Sequence, residues 1–266
     1  MARKVLLLAI TATLLTAGGP AWGGKKVSPV AYELRRPLGV PLHVVTVNLH
    51  DKQVYVTLAV SEGGIGTSER FDRLLARTRP TAALTGTYFS TKTLVPVGDL
   101  VAQGRVVNRG RVGSALALTA ENRAVFITLG PSEKADFSDY RLVLRGGPRL
   151  LADGEVAVSL EGEGFRDPGF RGRKRRSAVA LSEHGKLLLV VSAQPVTVTE
   201  LAKSLRKLGA REAMALDGGS SAALYHKGRT LVRPRRRLTN VIVVYDSLEK
   251  LRQASDRLVP GFGKQG

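Results

Sequence analysis

Short runs of apolar and β-branched residues, separated by polar turns, predict a chain built mainly from strands. Residues 42–47 and 53–60 are two such runs, and the turn at His50-Asp51-Lys52 predicts that they form a hairpin. Residues 71–77 predict a short helix and residues 81–89 a strand. Further strands are predicted at 94–108, with a turn at Gln103-Gly104, and at 114–119, 123–129, 179–181, 186–191, 222–225 and 241–245.

The strongest helix signal begins at Thr197. Glu200 lies three residues after Thr197, which is the spacing of a capping box. The residues that follow place three leucines on one helical face: Leu201, Leu205 and Leu208. Many strands, few helices and short hairpin links favour an α+β fold, with a mostly antiparallel or mixed β-sheet core in a single domain.

The two ends of the chain differ from its middle. Residues 1–23 combine a positive start, an apolar stretch and a small-x-small site at Ala21-Trp22-Gly23, which predicts a cleaved signal peptide. The apolar stretch is shorter than the roughly 20 residues of a membrane span. We therefore expect a bacterial protein that is exported to the periplasm or the exterior, with no transmembrane span after cleavage. Residues 24–250 form the predicted domain, with a motif core at 81–246, and polar residues 251–266 predict a loosely ordered tail.

The composition limits the kinds of partner and of metal site that the chain can have. The chain has 266 residues, a formal net charge of +19 and no cysteine. Disulfides and cysteine metal sites are therefore excluded, and the charge predicts anionic partners such as phosphate-bearing glycans and envelope polymers. No helix-turn-helix and no basic segment interleaved with aromatic residues is present, so specific nucleic-acid binding is not expected. The four histidines lie far apart in sequence, which argues against zinc.

The segment MALDGGSSAAL places one carboxylate, Asp217, where a predicted strand stops. Gly218 and Gly219 allow close approach of the backbone. Their N–H groups, together with the hydroxyls of Ser220 and Ser221, predict an anion-binding nest. The alternative is an ordinary hairpin in which Asp217 forms an Asx-turn.

Six blocks of the sequence together resemble the phosphodiester glycosidase family, which includes N-acetylglucosamine-1-phosphodiester α-N-acetylglucosaminidase and exopolysaccharide-associated bacterial relatives. In chain order the blocks are TGTYFS (85–90), PVGDLVAQGRVVN (96–108), GGPRLLADGEV (146–156), RRSAVAL (175–181), ALDGGSSAAL (215–224) and RRRLTNVIVVY (235–245). Three positions depart clearly from the family pattern, and a fourth, Ser177 in place of a threonine, departs mildly. Thr85 replaces an asparagine, Thr87 a glycine, and Ser220 the third glycine of a DGGG run.

The resemblance implies cleavage of the bond between the anomeric carbon of a sugar and a phosphodiester. Asp217 is the best carboxylate to activate water or to stabilise an oxocarbenium-like centre, with Asp99 and Asp153 as alternatives. Arg176 is the expected catalytic phosphate contact. The expected substrate-binding residues are Thr85, Gly86, Tyr88, Gly98, Gly218, Gly219, Ser220, Ser221, Arg237 and Asn240.

Some residues beside these motifs are predicted to have structural roles only. Phe89 is assigned to the core. The charged residues beside the motifs are assigned to solvated surface: Arg171, Arg173, Lys174, Arg235 and Arg236. No cofactor is expected; calcium at Asp217 is the alternative, although one carboxylate falls short of its usual oxygen ligands.

The primary functional hypothesis is an exported hydrolase that cleaves a sugar-1-phosphodiester in an envelope glycan or exopolysaccharide. The alternative is a non-catalytic module that binds anionic polysaccharide through the same basic cleft. Thr85 and Thr87 favour the alternative, because they replace residues usual in the family. The intact LDGG-SS corner and the closing Arg237 and Asn240 favour the hydrolase.

Overall fold

The computed structural model describes residues 28–261, so the predicted signal peptide at 1–23 lies outside the described residues. The strands, in chain order, are β1 (Val30–Arg35), β2 (Leu42–Asn48), β3 (Tyr55–Val60), β4 (Ala82–Thr85), β5 (Leu100–Ala102), β6 (Arg105–Asn108), β7 (Ala115–Leu118), β8 (Ala124–Ile127), β9 (Leu142–Arg145), β10 (Arg149–Ala152), β11 (Glu155–Val156), β12 (Ser177–Ser182), β13 (Lys186–Ser192), β14 (Ala210–Leu216), β15 (Leu224–His226), β16 (Arg229–Val232) and β17 (Asn240–Tyr245). The α-helices are α1 (Phe71–Thr78), α2 (Val198–Lys207) and α3 (Leu248–Ala254).

The strands form three antiparallel sheets. The first sheet has the order β1-β2-β13-β12-β14-β10-β11. The second has the order β16-β15-β4-β17-β3, and the third the order β6-β5-β9-β7-β8. The predicted α+β fold with a mostly antiparallel core is confirmed. Among residues 28–261 no helix is long and apolar enough to cross a bilayer.

The main hydrophobic core is shared by all three sheets. Every residue of β17 is buried, because this strand lies in the middle of the second sheet. A separate cluster forms where α2 packs on the first sheet, and it buries Leu201 and Leu205 completely. Thr197 and Glu200 make both hydrogen bonds of the predicted capping box, so the start of α2 is confirmed.

The predicted hairpin between residues 42–47 and 53–60 is wrong. β2 pairs with β1 and β13 in the first sheet, whereas β3 pairs with β17 in the second. The turn therefore carries the chain from one sheet to another, and Leu49 and Val54 beside it are buried. The pairing differs because both strands bury apolar residues on both faces, so their partners are set by the interior of the whole domain and not by a local turn.

The end of the described chain is ordered, contrary to the predicted loose tail. Residues 248–254 form α3, and Leu258 and Val259 are buried. The carbonyl of Leu258 accepts a hydrogen bond from the N–H of Val60 at 3.0 Å. The prediction is therefore wrong for residues 251–261, because two apolar residues dock this polar segment on the core. Residues 262–266 lie outside the described residues.

We predict that Leu258→Ala lowers the free energy of unfolding by about 2–4 kcal/mol, because the substitution leaves a cavity beside β3. Arg252→Ala, on the exposed side of the same segment, is the control and is expected to change it by less than about 0.5 kcal/mol. Urea denaturation measures both. Equal, small effects of the two substitutions would show that the segment is not docked.

Candidate active site

Strands from two sheets end at one point. Asp217 directly follows β14 of the first sheet, Gly86 follows β4 of the second, and Asn240 begins β17. The N–H of Asp217 donates to the carbonyl of Gly86 at 3.0 Å. This hydrogen bond joins the first sheet to the second and fixes the position of the Asp217 backbone where the two sheets meet.

Gly86 is required by close packing. A Cβ atom at this position would lie 1.9 Å from Oδ1 of Asn240. That oxygen accepts the N–H of Thr87 at 2.8 Å, so the Asn240 side chain cannot move without breaking a buried hydrogen bond. Gly86 and Asn240 thus form a fixed support behind Asp217.

The third sheet reaches the same junction through Arg145, the last residue of β9. The hydroxyl of Thr87 donates to the Arg145 carbonyl at 2.7 Å. The Arg145 guanidinium is fully buried and pairs with Asp99 at 3.3 Å. Asp99 is therefore used in an ion pair, and Asp153 lies in the turn between β10 and β11. Neither alternative carboxylate lines the pocket that contains Asp217.

A cavity of about 350 Å³ opens above this junction. It is lined by Tyr88, Phe89, Thr91, Asp167, Gly169, Phe170, Lys174, Arg176, Asp217, Gly218, Gly219, Ser220, Ser221 and Arg236. The structure therefore brings together both expected catalytic residues, the expected Tyr88, and the whole corner from Gly218 to Ser221.

Asp217 is a half-buried acid whose neighbours shift its pKa in opposite directions. Burial raises the pKa of Asp217 to about 6, because the pocket solvates its charge poorly. Three groups act in the opposite direction: the Ser221 hydroxyl, the Gly218 N–H that donates to Oδ1 at 2.9 Å, and the positive charge of Arg236. Asp217 therefore changes charge near neutral pH, in the range where general bases work well.

Tyr88 belongs to an aromatic wall. Its ring centroid lies 5.6 Å from that of Phe165 and 5.2 Å from that of Phe170. Burial raises the pKa of Tyr88, and the nearby charge of Asp217 adds to the effect. The phenol therefore stays protonated at physiological pH and can donate a hydrogen bond.

Arg176 has both a structural and an electrostatic role. Its Nη2 donates to the carbonyls of Phe170 at 2.9 Å and Gly172 at 2.6 Å, which holds the loop that carries Phe170 against the pocket. Burial lowers the pKa of Arg176, but an arginine stays charged at any physiological pH. Within residues 28–261 its hydrogen-bond partners are carbonyl oxygens, so no carboxylate neutralises its charge.

The backbone N–H groups of the predicted anion-binding nest already donate hydrogen bonds within the protein. The Gly218 N–H is donated to the Asp217 carboxylate, and the Gly219 N–H is donated to the Arg175 carbonyl at 2.7 Å. A Cβ on Gly218 would lie 2.7 Å from that same carbonyl. These glycines therefore allow the corner to press against the backbone before β12, and the positive charge for an anion comes from side chains.

The predictions from the sequence missed or misassigned several residues that line the pocket. Arg236 and Lys174, assigned to solvated surface, both line the cavity, as does Phe89, assigned to the core. Arg236 lies over the Phe89 ring at 4.3 Å, and this contact holds its charge at the pocket. Asp167 is a second carboxylate of the lining, and its loop carried no recognisable signal.

Other expected residues do not reach the pocket. Thr85 is buried in β4, and its N–H donates to the Ala223 carbonyl. A Cβ on Gly98 would lie 2.1 Å from the Arg145 carbonyl, so Gly98 permits packing of the third sheet. Gly86 and Asn240 lie behind Asp217, and Arg237 lines a neighbouring groove.

The structure offers few ligands for a metal ion. Among the described residues, no three His, Cys, Asp or Glu side chains lie close enough together to hold one. Asp217 is instead bonded to the Gly218 N–H and influenced by the charge of Arg236. A positively charged neighbour is a poor setting for a calcium ion.

Comparison with known proteins identifies similar chains. A family model described as phosphodiester glycosidase matches residues 78–245. No curated protein sequence matches significantly. A hypothetical protein from Synechocystis has a similar structure (TM-score 0.70, 18% identity), with 81% of this chain and 62% of that chain covered. The zebrafish N-acetylglucosamine-1-phosphodiester α-N-acetylglucosaminidase catalytic domain, auto-inhibited by its pro-peptide, also matches (TM-score 0.66, 21% identity, 81% of each chain). At these identities the structural likeness establishes the fold.

We predict that Gly86→Ala lowers the free energy of unfolding by about 1–3 kcal/mol, because the new Cβ overlaps the Asn240 amide. In an Asn240→Ala background the same change should cost less, since the overlapping atom is gone. Denaturant titration of the two single variants and the double variant measures this coupling. Gly172→Ala, with open space around its Cβ, is the control. If the changes in the free energy of unfolding caused by the two substitutions simply add, Gly86 and Asn240 do not form a coupled support behind Asp217.

Proposed function

The chain belongs to the phosphodiester glycosidase family, and on this premise we propose that it hydrolyses a sugar-1-phosphodiester bond in an envelope glycan or exopolysaccharide. The observation that supports the proposal most is the composition of one pocket. A half-buried carboxylate, Asp217, lines it together with three cations, Lys174, Arg176 and Arg236. A sugar phosphodiester carries complementary features: a reactive carbon and an adjacent anion.

The cations suit the phosphodiester group. Arg236 presents a planar guanidinium group, which matches the paired oxygens of a phosphate. Arg176 contributes its charge and its Nη1, because its Nε and Nη2 already donate to carbonyl oxygens. Lys174 lines the cavity and is exposed, so it extends the positive surface toward solvent. Because Arg176 is held by carbonyl oxygens, its position is fixed before substrate binds, and little side-chain entropy is lost on binding.

Asp217 suits the bond-breaking step. Its carboxylate accepts a proton from a water molecule as the water oxygen bonds to the anomeric carbon. The bond between that carbon and the phosphate oxygen breaks, and its electron pair leaves with the phosphate. The products are the free sugar and a phosphate monoester. Because the departing phosphate monoester is a stable anion, this reaction needs less help from a general acid than ordinary glycoside hydrolysis does.

Asp167 is the second carboxylate of the pocket. It precedes the short 3-10 turn Pro168–Phe170, and its Oδ1 accepts the Gly169 N–H at 2.6 Å. Glycosidases commonly use a pair of carboxylates that flank the scissile bond. We assign Asp217 the role nearer the reacting carbon, since it is the more buried of the two, and Asp167 a supporting role at the rim.

The aromatic wall suits the sugar. Tyr88 and Phe170 present apolar surface beside the carboxylate, and the Tyr88 hydroxyl can donate to a sugar oxygen. Sugar-binding pockets combine such surfaces with a few fixed polar groups. The wall therefore supports a sugar ring on the Tyr88 side and the phosphate on the Arg176 and Arg236 side.

The altered residues Thr85 and Thr87 no longer argue for a non-catalytic module. Thr85 and Thr87 are both buried, and neither lines the cavity. Thr87 instead bonds the Arg145 carbonyl and the Asn240 amide, so it supports the framework. The departures from the family pattern thus leave the pocket's carboxylates and cations in place.

We predict that Asp217→Asn lowers kcat/KM on a sugar-1-phosphodiester by at least about 100-fold, because the base is lost. Protein beginning at residue 24 is assayed on p-nitrophenyl phosphodiesters of N-acetylglucosamine and several other sugars. For the unsubstituted protein, kcat/KM should rise with pH and level off above about 6, where Asp217 becomes ionised.

Asp153→Asn, a turn carboxylate outside the pocket, is the matched control and should keep full activity. Turnover equal in the Asp217→Asn and control variants would sink the proposal, as would no turnover of any sugar in the panel. Recovery of the native protein only from the cytoplasm, with residues 1–23 retained, would contradict export.

A further inference from the structure

A second cavity, of about 310 Å³, lies beside the Asp217 pocket. We call it the arginine groove, and its lining includes Arg70, Phe71, Arg233, Arg235, Arg236 and Arg237. The groove lies between the start of α1 and the segment that links β16 to β17. Of these arginines, the family pattern accounts for Arg237, which belongs to the closing motif, and not for the others.

The positive charge of the groove is largely uncompensated. Its only acidic lining residue is Asp72, which pairs with Arg70 at 2.6 Å. Arg233, Arg235 and Arg237 are exposed, and in the described part of the chain none of them forms an ion pair. Placing like charges side by side costs free energy, and a cleft of one sign concentrates the opposite charge from solution. The arrangement therefore fits a ligand with several negative charges.

The groove is continuous with the pocket. Arg236 lines both cavities, and its guanidinium over Phe89 stands at their boundary. The N–H of Arg235 donates to the Ser220 carbonyl at 2.7 Å, which ties the arginine segment to the corner that carries Asp217. A chain that leaves the pocket on its phosphate side therefore enters the groove directly.

We propose that the arginine groove binds the aglycone side of the substrate, and that the substrate is a polyanionic glycan with repeated phosphodiester links. The inference rests on the proposed function for the bond held in the pocket. A single phosphodiester is already matched by Arg176 and Arg236, so Arg233, Arg235 and Arg237 would contact phosphates farther along the chain.

A glycan fits the groove better than a nucleic acid does. Single-stranded nucleic acids are bound by exposed aromatic platforms on which the bases stack. The one aromatic residue that lines the groove is Phe71, and it is only 5% exposed. The groove therefore offers charge for phosphates and no stacking surface for bases.

The test compares two variants with equal loss of charge. The groove variant carries Arg233→Gln, Arg235→Gln and Arg237→Gln; the control carries Lys203→Gln, Lys207→Gln and Arg252→Gln on exposed faces of α2 and α3. A fluorescent synthetic poly(glycosyl phosphate) of about ten repeats is titrated by anisotropy at several salt concentrations. We expect about tenfold or greater weakening for the groove variant, with a salt slope smaller by about 2, and less than twofold for the control.

Equal affinity of the two variants for the polymer would overturn the inference. A single-stranded DNA of matching charge that binds as tightly as the polymer would overturn the assignment to a glycan. Both variants also carry Asp217→Asn, so binding is measured without turnover and the two proposals can fail separately. If binding depends on the groove but no sugar phosphodiester is hydrolysed, only the proposed function is contradicted. If hydrolysis occurs but binding does not depend on the groove, only the proposed role of the groove is contradicted.

Discussion

The hydrogen bond between the N–H of Asp217 and the carbonyl of Gly86 is the contact on which the site depends. It joins the end of a first-sheet strand to the end of a second-sheet strand. It is possible only because Gly86 has no side chain where the Asn240 amide lies. Thr87 then links the same point to the third sheet through Arg145. The carboxylate of Asp217 is thus placed by backbone contacts that all three sheets share.

This placement has an energetic consequence. A carboxyl group whose pKa rises from near 4 to about 6 on folding holds its proton more tightly in the folded state. Its contribution to stability is therefore present at low pH and is lost as the pH rises from about 4 through 6. The fold tolerates an ionised Asp217 at neutral pH because the shared core is extensive and Arg236 lies nearby. Arg236, which favours that ionised form, is also one of the cations that we propose bind an anionic substrate.

The sequence could predict features that depend on local chemistry. The capping box fixed the start of α2, and the run of small residues after Asp217 located the corner of the pocket. The resemblance to the phosphodiester glycosidase family is confirmed by the matching family model. By contrast, β2 and β3 were paired wrongly, because their partners β13 and β17 lie far along the chain. Arg236 was assigned to the surface because its contact with Phe89 spans more than half of the chain. Asn240 was predicted at the substrate, yet the motif holds it behind the carboxylate.

The most direct test of this account is a titration of the Asp217 side chain itself. Selective 13C labelling of aspartate, with assignment by Asp217→Asn, gives the carboxyl shift of Asp217 as a function of pH. We expect a midpoint near 6, and a higher midpoint in Arg236→Gln, because removing that positive charge disfavours the carboxylate. A midpoint near 4, unchanged by Arg236→Gln, would mean that Asp217 is an ordinary solvated turn residue and that the pocket is not built around it.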